Sequence, residues 1–273
     1  MKIIVPMAGV GDRFIKAGYV DPKPLIEVNG KRIIEYIIEM FDIENDEFVF
    51  IINQQHSTNT NIIEIINKLV KNSEIHIIPN HKKGPVYTLK NLDIKDDEEV
   101  IVTYCDNPYL WDYNDFKDNI KNSDGCILSH VGFHPHRLSP TFMAHIKEDG
   151  GKLIEIKEKE PYTDKPMEEH ASTGTYYFAK GKYVKKYFKE LMDLDINYNG
   201  EYYVTLVYNL MVRDGLNVTI YDTDYVSVFG TPEEVKNFEA WQTILKSGIK
   251  TQKELIWTYH YWKDYNQQFG KNK

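Results

Sequence analysis

Four short runs rich in β-branched residues punctuate the first part of the chain: Ile3 to Pro6, Glu47 to Asn53, Ile75 to Pro79 and Val100 to Tyr104. Between them apolar residues recur three or four apart, in Ile33 to Phe41 and Ile62 to Val70, which is the spacing of one helix face. A strand, helix, strand, helix order needs crossover connections, so it predicts an α/β fold with a mostly parallel sheet flanked by helices, Rossmann-like in its first half. In such sheets ligands bind beyond the carboxyl ends of the strands. The loops after Pro6, Asn53, Pro79 and Tyr104 are therefore expected to gather around the site.

After about residue 125 the texture changes to strands rich in Ile, Val, Tyr and Phe ("GCILSHVGF", "KLIEIKEKEP", "HASTGTYYFA"), followed by a helix near Lys182 to Met192. This β-rich second half is expected to extend the sheet and cover the site. From about Pro232 a helical pattern runs through Trp241 into a Lys-, Tyr- and Trp-rich tail, read as a helix that packs back on the core or on a partner subunit. At 273 residues, 42% hydrophobic and 27% charged, with no low-complexity linker, one domain with a sizeable core is expected over 1–273. Its net charge of −8 leaves no excess of cations to displace counterions from nucleic acid, so no nucleic-acid partner is expected. Cys105 and Cys126 show no metal spacing, and no run of 18 apolar residues occurs. A cytoplasmic protein with no membrane partner follows as the expectation. Oligomeric state stays open, a homo-oligomer included.

The stretch "VPMAGVGDRFIKAGYVDPKPLIEVNGK" breaks from its first strand into a glycine turn. Gly9 and Gly11 let backbone N–H groups approach a phosphate closely, and a following helix would add its dipole. The third glycine of a dinucleotide fingerprint is missing, as is the Gly-Lys-Ser/Thr ending of a P-loop. What remains is Gly-x-Gly-x-Arg, then Lys23 between Pro22 and Pro24. Arg13 offers a fixed fork of donors and Lys23 a point charge, and the two can converge on one polyanion.

That combination resembles the signature of the nucleotidylyltransferases that activate sugar 1-phosphates and related alcohol phosphates. The resemblance extends along most of the chain, through "YCDNPY", "EIKEKEP", "ASTGTYYF", "NGEYYVTLVYNLMVRDG" and "VFGTPEEV". Within the family the sequence is most similar to proteins of capsule and surface-polysaccharide assembly, including cytidylyltransferases that activate non-sugar phosphates such as phosphoglutamine. The resemblance implies attack by an acceptor phosphate on the α-phosphorus of a nucleoside triphosphate, CTP favoured, with pyrophosphate leaving and Mg²⁺ as cofactor. It divides the chain into a nucleotide-binding half, 1–125, an acceptor-binding part, 126–231, and a C-terminal helical segment, 232–273.

The family motifs imply roles residue by residue. Ala8, Gly9 and Gly11 would cradle the triphosphate, with Arg13 on the departing pyrophosphate and Lys23 at the α-phosphate. Asp106 would hold Mg²⁺, although Asp-Asn-Pro is also an ordinary turn cap. Asn80 and Gly84 fall where the family reads the base, and these residues leave the base open. Lys159 would hold the acceptor phosphate, and Thr173, Gly174 and Glu201 would line the acceptor pocket.

Two departures from the pattern stand out. Val228 occupies the position where the family often has a second acidic metal ligand, leaving Asp222 or Asp224 as replacements. The segment "HVGFHPHRLSP" brings His130, His134 and His136 close in sequence, which invites a zinc reading, but Pro135 and the strand pattern should scatter them. A loop in which His136 and Arg137 contact a charged group of the acceptor is preferred. Two other functions compete: a nucleotide-sugar glycosyltransferase, which would need a second aspartate in "CDNPY", and a non-catalytic nucleotide-binding regulator, which needs no charge aimed at an α-phosphorus.

Overall fold

The computed structural model describes residues 1–132, 134–138 and 143–246. In chain order it runs β1 (Lys2–Met7), α1 (Asp12–Lys16), a 3-10 turn over Lys23–Leu25, the hairpin β2 (Glu27–Val28) and β3 (Lys31–Arg32), and α2 (Ile33–Ile38). Then come β4 (Glu47–Asn53), α3 (Gln54–Asn59), α4 (Ile62–Leu69), β5 (Glu74–Ile78), α5 (Gly84–Leu89), β6 (Val100–Thr103), β7 (Tyr109–Leu110) and α6 (Tyr113–Asn119). The second half contributes β8 (Gly125–His130), β9 (His145–Asp149), β10 (Lys152–Lys157), β11 (His170–Phe178), α7 (Gly181–Asp193), α8 (Val204–Arg213), β12 (Val218–Asp222), β13 (Tyr225–Val226) and α9 (Pro232–Lys246).

The main sheet has the order β5-β4-β1-β6-β11-β8-β12-β10-β9. Its first four strands are parallel, as the strand and helix alternation requires. Beyond them the sheet is mixed. β11 is antiparallel to both β6 and β8, while β8 and β12 are parallel. The β-rich half therefore joins the parallel half through β11. A register shift between Ser172 and Tyr176 surrounds Gly174, whose φ of 87° needs a residue without a Cβ.

Alternation along the strands feeds two cores. Ile3, Val5, Phe48, Phe50 and Ile52 meet α2, α4 and Phe116 on one face. Ile4, Val49, Ile51, Val102 and Phe178 meet α7 and α8 on the other. Both faces being covered explains why β1, β4 and β6 read as near-continuous apolar runs. A third cluster of Phe14, Ile26, Val28, Ile33, Phe229 and Val235 ties the glycine turn to α9. The expected C-terminal helix thus packs back on its own core, with Trp241 buried, while the tail after Lys246 lies outside the described residues. Among the described residues no helix is long and apolar enough to cross a membrane.

The start of α7 is locked against the lead-in to β6, where Lys182 N–H donates to the Asp96 carbonyl at 3.1 Å. A Cβ at Gly181 would overlap the Lys95 carbonyl oxygen and the Ile94 side chain. Gly181→Ala is accordingly expected to cost about 1–3 kcal/mol, the usual range for overpacking. Thermal unfolding should show a midpoint lower by several degrees, and an unchanged midpoint would mean that this junction yields without cost.

Candidate active site

A cavity of about 470 Å³ opens at the carboxyl ends of β1 and β6, where the topology of the parallel half places it. One wall is the turn after β1. Gly11 sits in the left-handed region (φ 76°) and its carbonyl accepts from the N–H groups of Phe14 and Ile15. Gly9 lines the cavity, and a Cβ on it would meet nothing within 4 Å. Helix α1 has only five residues and adds little dipole to this wall. Arg13 lines the same wall.

Lys23 stands against the turn, its Cβ 3.9 Å from where a Cβ on Gly11 would lie. Pro24 and Leu25 are buried beneath the 3-10 turn, which anchors the Lys23 backbone. Lys23 Nζ donates to Asp106 Oδ2 at 2.6 Å across the cavity floor. Burial of the ammonium works to lower its pKa, but the Asp106 carboxylate outweighs it, and the pKa stands above the ordinary lysine value. Lys23 is thus charged throughout the neutral range. Burial pushes the neighbouring Cys105 thiol up to about 11, which keeps it protonated and removes it as a nucleophile. The Asp106 carbonyl accepts from Phe229 N–H at 2.7 Å, drawing the Gly230-Thr231-Pro232 segment against the floor.

The far wall belongs to the second half. Lys159 has a φ of 57°, a costly conformation for a side chain of its size, and such outliers concentrate at functional positions. Its Nζ donates to the Tyr203 hydroxyl at 2.5 Å, and that hydroxyl donates to Glu201 Oε2 at 3.0 Å. Beside it Glu158 is 8% exposed and accepts from Thr205 Oγ1 at 2.6 Å. Burial raises the Glu158 carboxyl to about 7, with the Thr205 hydroxyl and Lys159 pulling the other way. At neutral pH Glu158 can donate or accept a hydrogen bond, and the cavity presents it to whatever occupies that end.

A glycine and arginine wall, a lysine and carboxylate floor and a lysine and glutamate wall share one cavity. Residues 2–265 match the family model described as Nucleotidyl transferase. The chain belongs to the nucleotidyl transferase family. It is an enzyme class that transfers nucleotidyl groups, and the fold agrees. The chain is 23% identical over 245 residues to the Bifunctional protein GlmU of Bartonella bacilliformis, with 88% of the chain and 52% of that protein aligned. It thus spans about half the length of the curated relatives it matches. The nucleoside-diphosphate-sugar pyrophosphorylase from Vibrio cholerae superposes with a TM-score of 0.69 at 23% identity, over 87% of this chain and 99% of that one. The inositol-1-phosphate CTP transferase from T. maritima gives 0.64 at 13% identity, over 92% and 98%.

On this nucleotidyl transferase, the cavity is lined by Ala8, Gly9, Gly11, Arg13, Lys23, Gly84, Asp106, His136, Arg137, Lys159, Gly174 and Glu201 among the residues singled out in the sequence. Asn80 and Thr173 do not line it. The Asn80 amide is spent on Gln55, accepting from its N–H at 3.4 Å and donating to its Oε1 at 3.1 Å. The Thr173 hydroxyl is fully buried and donates to the Leu128 carbonyl at 3.2 Å. Gly84 is required by its neighbours: its φ is 80°, and a Cβ would lie 2.7 Å from the Tyr202 carbonyl oxygen.

The histidine segment departs from expectation in three ways. Burial holds the His136 imidazole well below its ordinary pKa, so it offers a neutral hydrogen-bonding ring and no positive charge. The buried Arg137 guanidinium donates to the backbone carbonyls of Glu169 and Pro166, which makes it a strut between two loops as well as part of the lining. Pro135 and the strand pattern do not scatter the three histidines: the His130 ring stands 4.5 Å from that of His134 and 5.3 Å from that of His136, because the short 3-10 turn folds the segment back, yet no three His, Cys, Asp or Glu side chains among the described residues form a metal-binding group.

Asp222 and Asp224, the expected substitutes for the acid missing at Val228, are absent from the lining. Asp222 is held instead by Ser129 and His170 at 2.5 and 2.9 Å. Reading the sequence missed Glu158, one residue before the more conspicuous Lys159, and Glu234, both of which face the cavity. It also passed over His81 and Lys82, which line the side near Gly84.

The shift at Glu158 has a consequence for stability. A carboxyl whose folded pKa is raised from 4.5 to about 7 binds its proton more tightly in the folded state, so its contribution is full in acid and is lost as pH rises from about 4.5 through 7. The loss approaches about 3 kcal/mol as an upper figure. Glu158→Gln keeps an acceptor for Thr205 and removes the titration. Urea unfolding should show the wild-type chain losing stability between pH 5 and pH 8 relative to this variant, whereas parallel pH profiles would show that Glu158 is ordinarily ionised.

Proposed function

We propose that this chain couples a nucleoside triphosphate, CTP favoured, to a phosphorylated small-molecule acceptor and releases pyrophosphate. The acceptor is a sugar 1-phosphate or a small non-sugar phosphate such as phosphoglutamine, and the product serves capsule or surface-polysaccharide biosynthesis in the cytoplasm. One observation carries the reaction: the glycine turn, the Lys23–Asp106 pair and Lys159 open into one cavity. The choice of CTP, the non-sugar acceptor and the surface-polysaccharide role rest on the sequence resemblance. Residues 1–125 then hold the nucleotide, 126–231 the acceptor, and 232–273 form the C-terminal segment.

An acceptor phosphate oxygen attacks the α-phosphorus, a new P–O bond forms, and the bond to the β-phosphate oxygen breaks with its electron pair leaving on pyrophosphate. The acceptor is ionised at neutral pH, so charge neutralisation and alignment limit the rate, and no strong base is required. Ala8, Gly9 and Gly11 present backbone to the triphosphate, and Arg13 meets the departing pyrophosphate. Lys23 meets charge developing at the α-phosphate, and Lys159 holds the acceptor phosphate in place. Gly174, Glu201, Glu158 and His136 bound the acceptor end, and Gly84 with Asn80 nearby marks the base end.

The family typically uses a divalent cation, and the residues present fit one. Asp106 supplies a carboxylate at the floor, and Mg²⁺ in nucleotide enzymes needs only one or two such groups besides phosphate oxygens. When bound, Mg²⁺ neutralises charge shared between the phosphates.

A matrix of triphosphates against acceptor phosphates, read as pyrophosphate release, tests the proposal. One pairing should stand well above the rest, and release that needs no acceptor in any pairing would refute transfer. Lys23→Ala is expected to lower kcat by about 100-fold or more in the best pairing, the usual cost of losing a preorganised charge. A near wild-type kcat would take Lys23 out of the mechanism.

A further inference from the structure

The position where the family often places a second acid holds Val228, an apolar residue on the cavity wall. The replacement comes from α9. Gly230 lies between Asp106 and the first turn of that helix, and a Cβ built on it would stand 3.5 Å from Asp106 Oδ2 and 3.2 Å from Glu234 Oε2. The two carboxylates thus flank one small space that stays open because residue 230 has no side chain. Glu234 lines the cavity along with Asp106.

Local structure explains why Glu234 points there. Thr231-Pro232-Glu233-Glu234 has the capping-box spacing, and Glu234 N–H donates to Thr231 Oγ1 at 3.2 Å. A helix start fixed in this way, and seated on the floor by the Phe229 N–H bond to the Asp106 carbonyl, leaves Glu234 little freedom. Lys23 and Arg13 lie within electrostatic reach of Glu234 and offset its repulsion by Asp106, so both carboxylates can stand at this floor. Asp106 is also half-committed, its Oδ2 being bound to the Lys23 ammonium at 2.6 Å. A carboxylate neutralised by an ion pair is a weak anchor for a hard cation, and a second negative charge restores the attraction.

We infer that Glu234 is the second carboxylate for the divalent cation, taking over from α9 the role that Val228 cannot fill. The inference rests on the proposed assignment of Asp106 to that cation. It gives the Gly-Thr-Pro-Glu-Glu segment two tasks, starting α9 and completing the cation site, carried by one side chain.

Mn²⁺ titrated into the full chain and followed by electron paramagnetic resonance tests the inference without turnover. Glu234→Gln keeps the capping hydrogen bond, which the residue's backbone N–H donates to Thr231 Oγ1, and removes only the charge. The wild-type chain should bind Mn²⁺, and Glu234→Gln should weaken that binding by about tenfold or more at an unchanged thermal midpoint. Val228→Asp introduced beside Glu234→Gln should recover most of the affinity. Asp106→Asn separates the two claims: loss of Mn²⁺ in this variant but not in Glu234→Gln overturns the inference and leaves Asp106 in place. Binding unchanged in both variants, or no binding by the wild-type chain, overturns both.

Discussion

The Lys23–Asp106 ion pair, 2.6 Å long, joins parts of the chain that are 83 residues apart and fixes the floor on which the rest of the site depends. Lys23 arrives from the proline-flanked turn after β1, and Asp106 from the end of β6, the strand beside β1 in the sheet. Adjacent parallel strands end on the same side, so the pair can form only because the topology brings both carboxyl ends together. From Asp106 the connection passes through its backbone carbonyl to Phe229 and on to α9. Phe229 in turn packs with Phe14 just after the glycine turn. Floor, glycine turn and C-terminal helix are therefore one mechanical unit.

Charge in the cavity is arranged in opposed sets. Arg13, Lys23 and Lys159 face Asp106, Glu158, Glu201 and Glu234 around one volume. Where these side chains can stand is set by backbone geometry. Gly11 and Gly174 take left-handed conformations, and Lys159 does so against its own preference. The carboxylates set the remaining terms. Burial raises the Glu158 carboxyl to about 7, so its end of the cavity can offer a hydrogen-bond donor as well as an acceptor.

The parallel half was legible in the sequence because strands buried on both faces leave uninterrupted apolar runs, and β4 falls on the expected residues 47–53. The mixed half was less so. The position of β11 between β6 and β8 depends on long-range pairing around Gly174, which no local pattern encodes. In the site, Gly9, Gly11, Lys23 and Asp106 stood out because punctuation by glycine and proline marks them in one dimension. Asn80 and Thr173 stand next to lining residues in sequence, but their side chains turn to Gln55 and to Leu128, a choice made by rotamer and burial. Glu158 and Glu234 were missed for the opposite reason. Each is an ordinary acid in a charged run, and only burial beside Thr205 or proximity across Gly230 distinguishes it.

The central claim is that the floor pair and the glycine turn direct attack to the α-phosphorus. Triphosphate labelled with ³²P at either the α or the γ position, incubated with the best acceptor, tests this most directly. The account predicts that α label appears in the acceptor product and γ label in pyrophosphate, in equal amounts. Transfer of γ label to the acceptor, or γ label released as orthophosphate with the acceptor unlabelled, would contradict it.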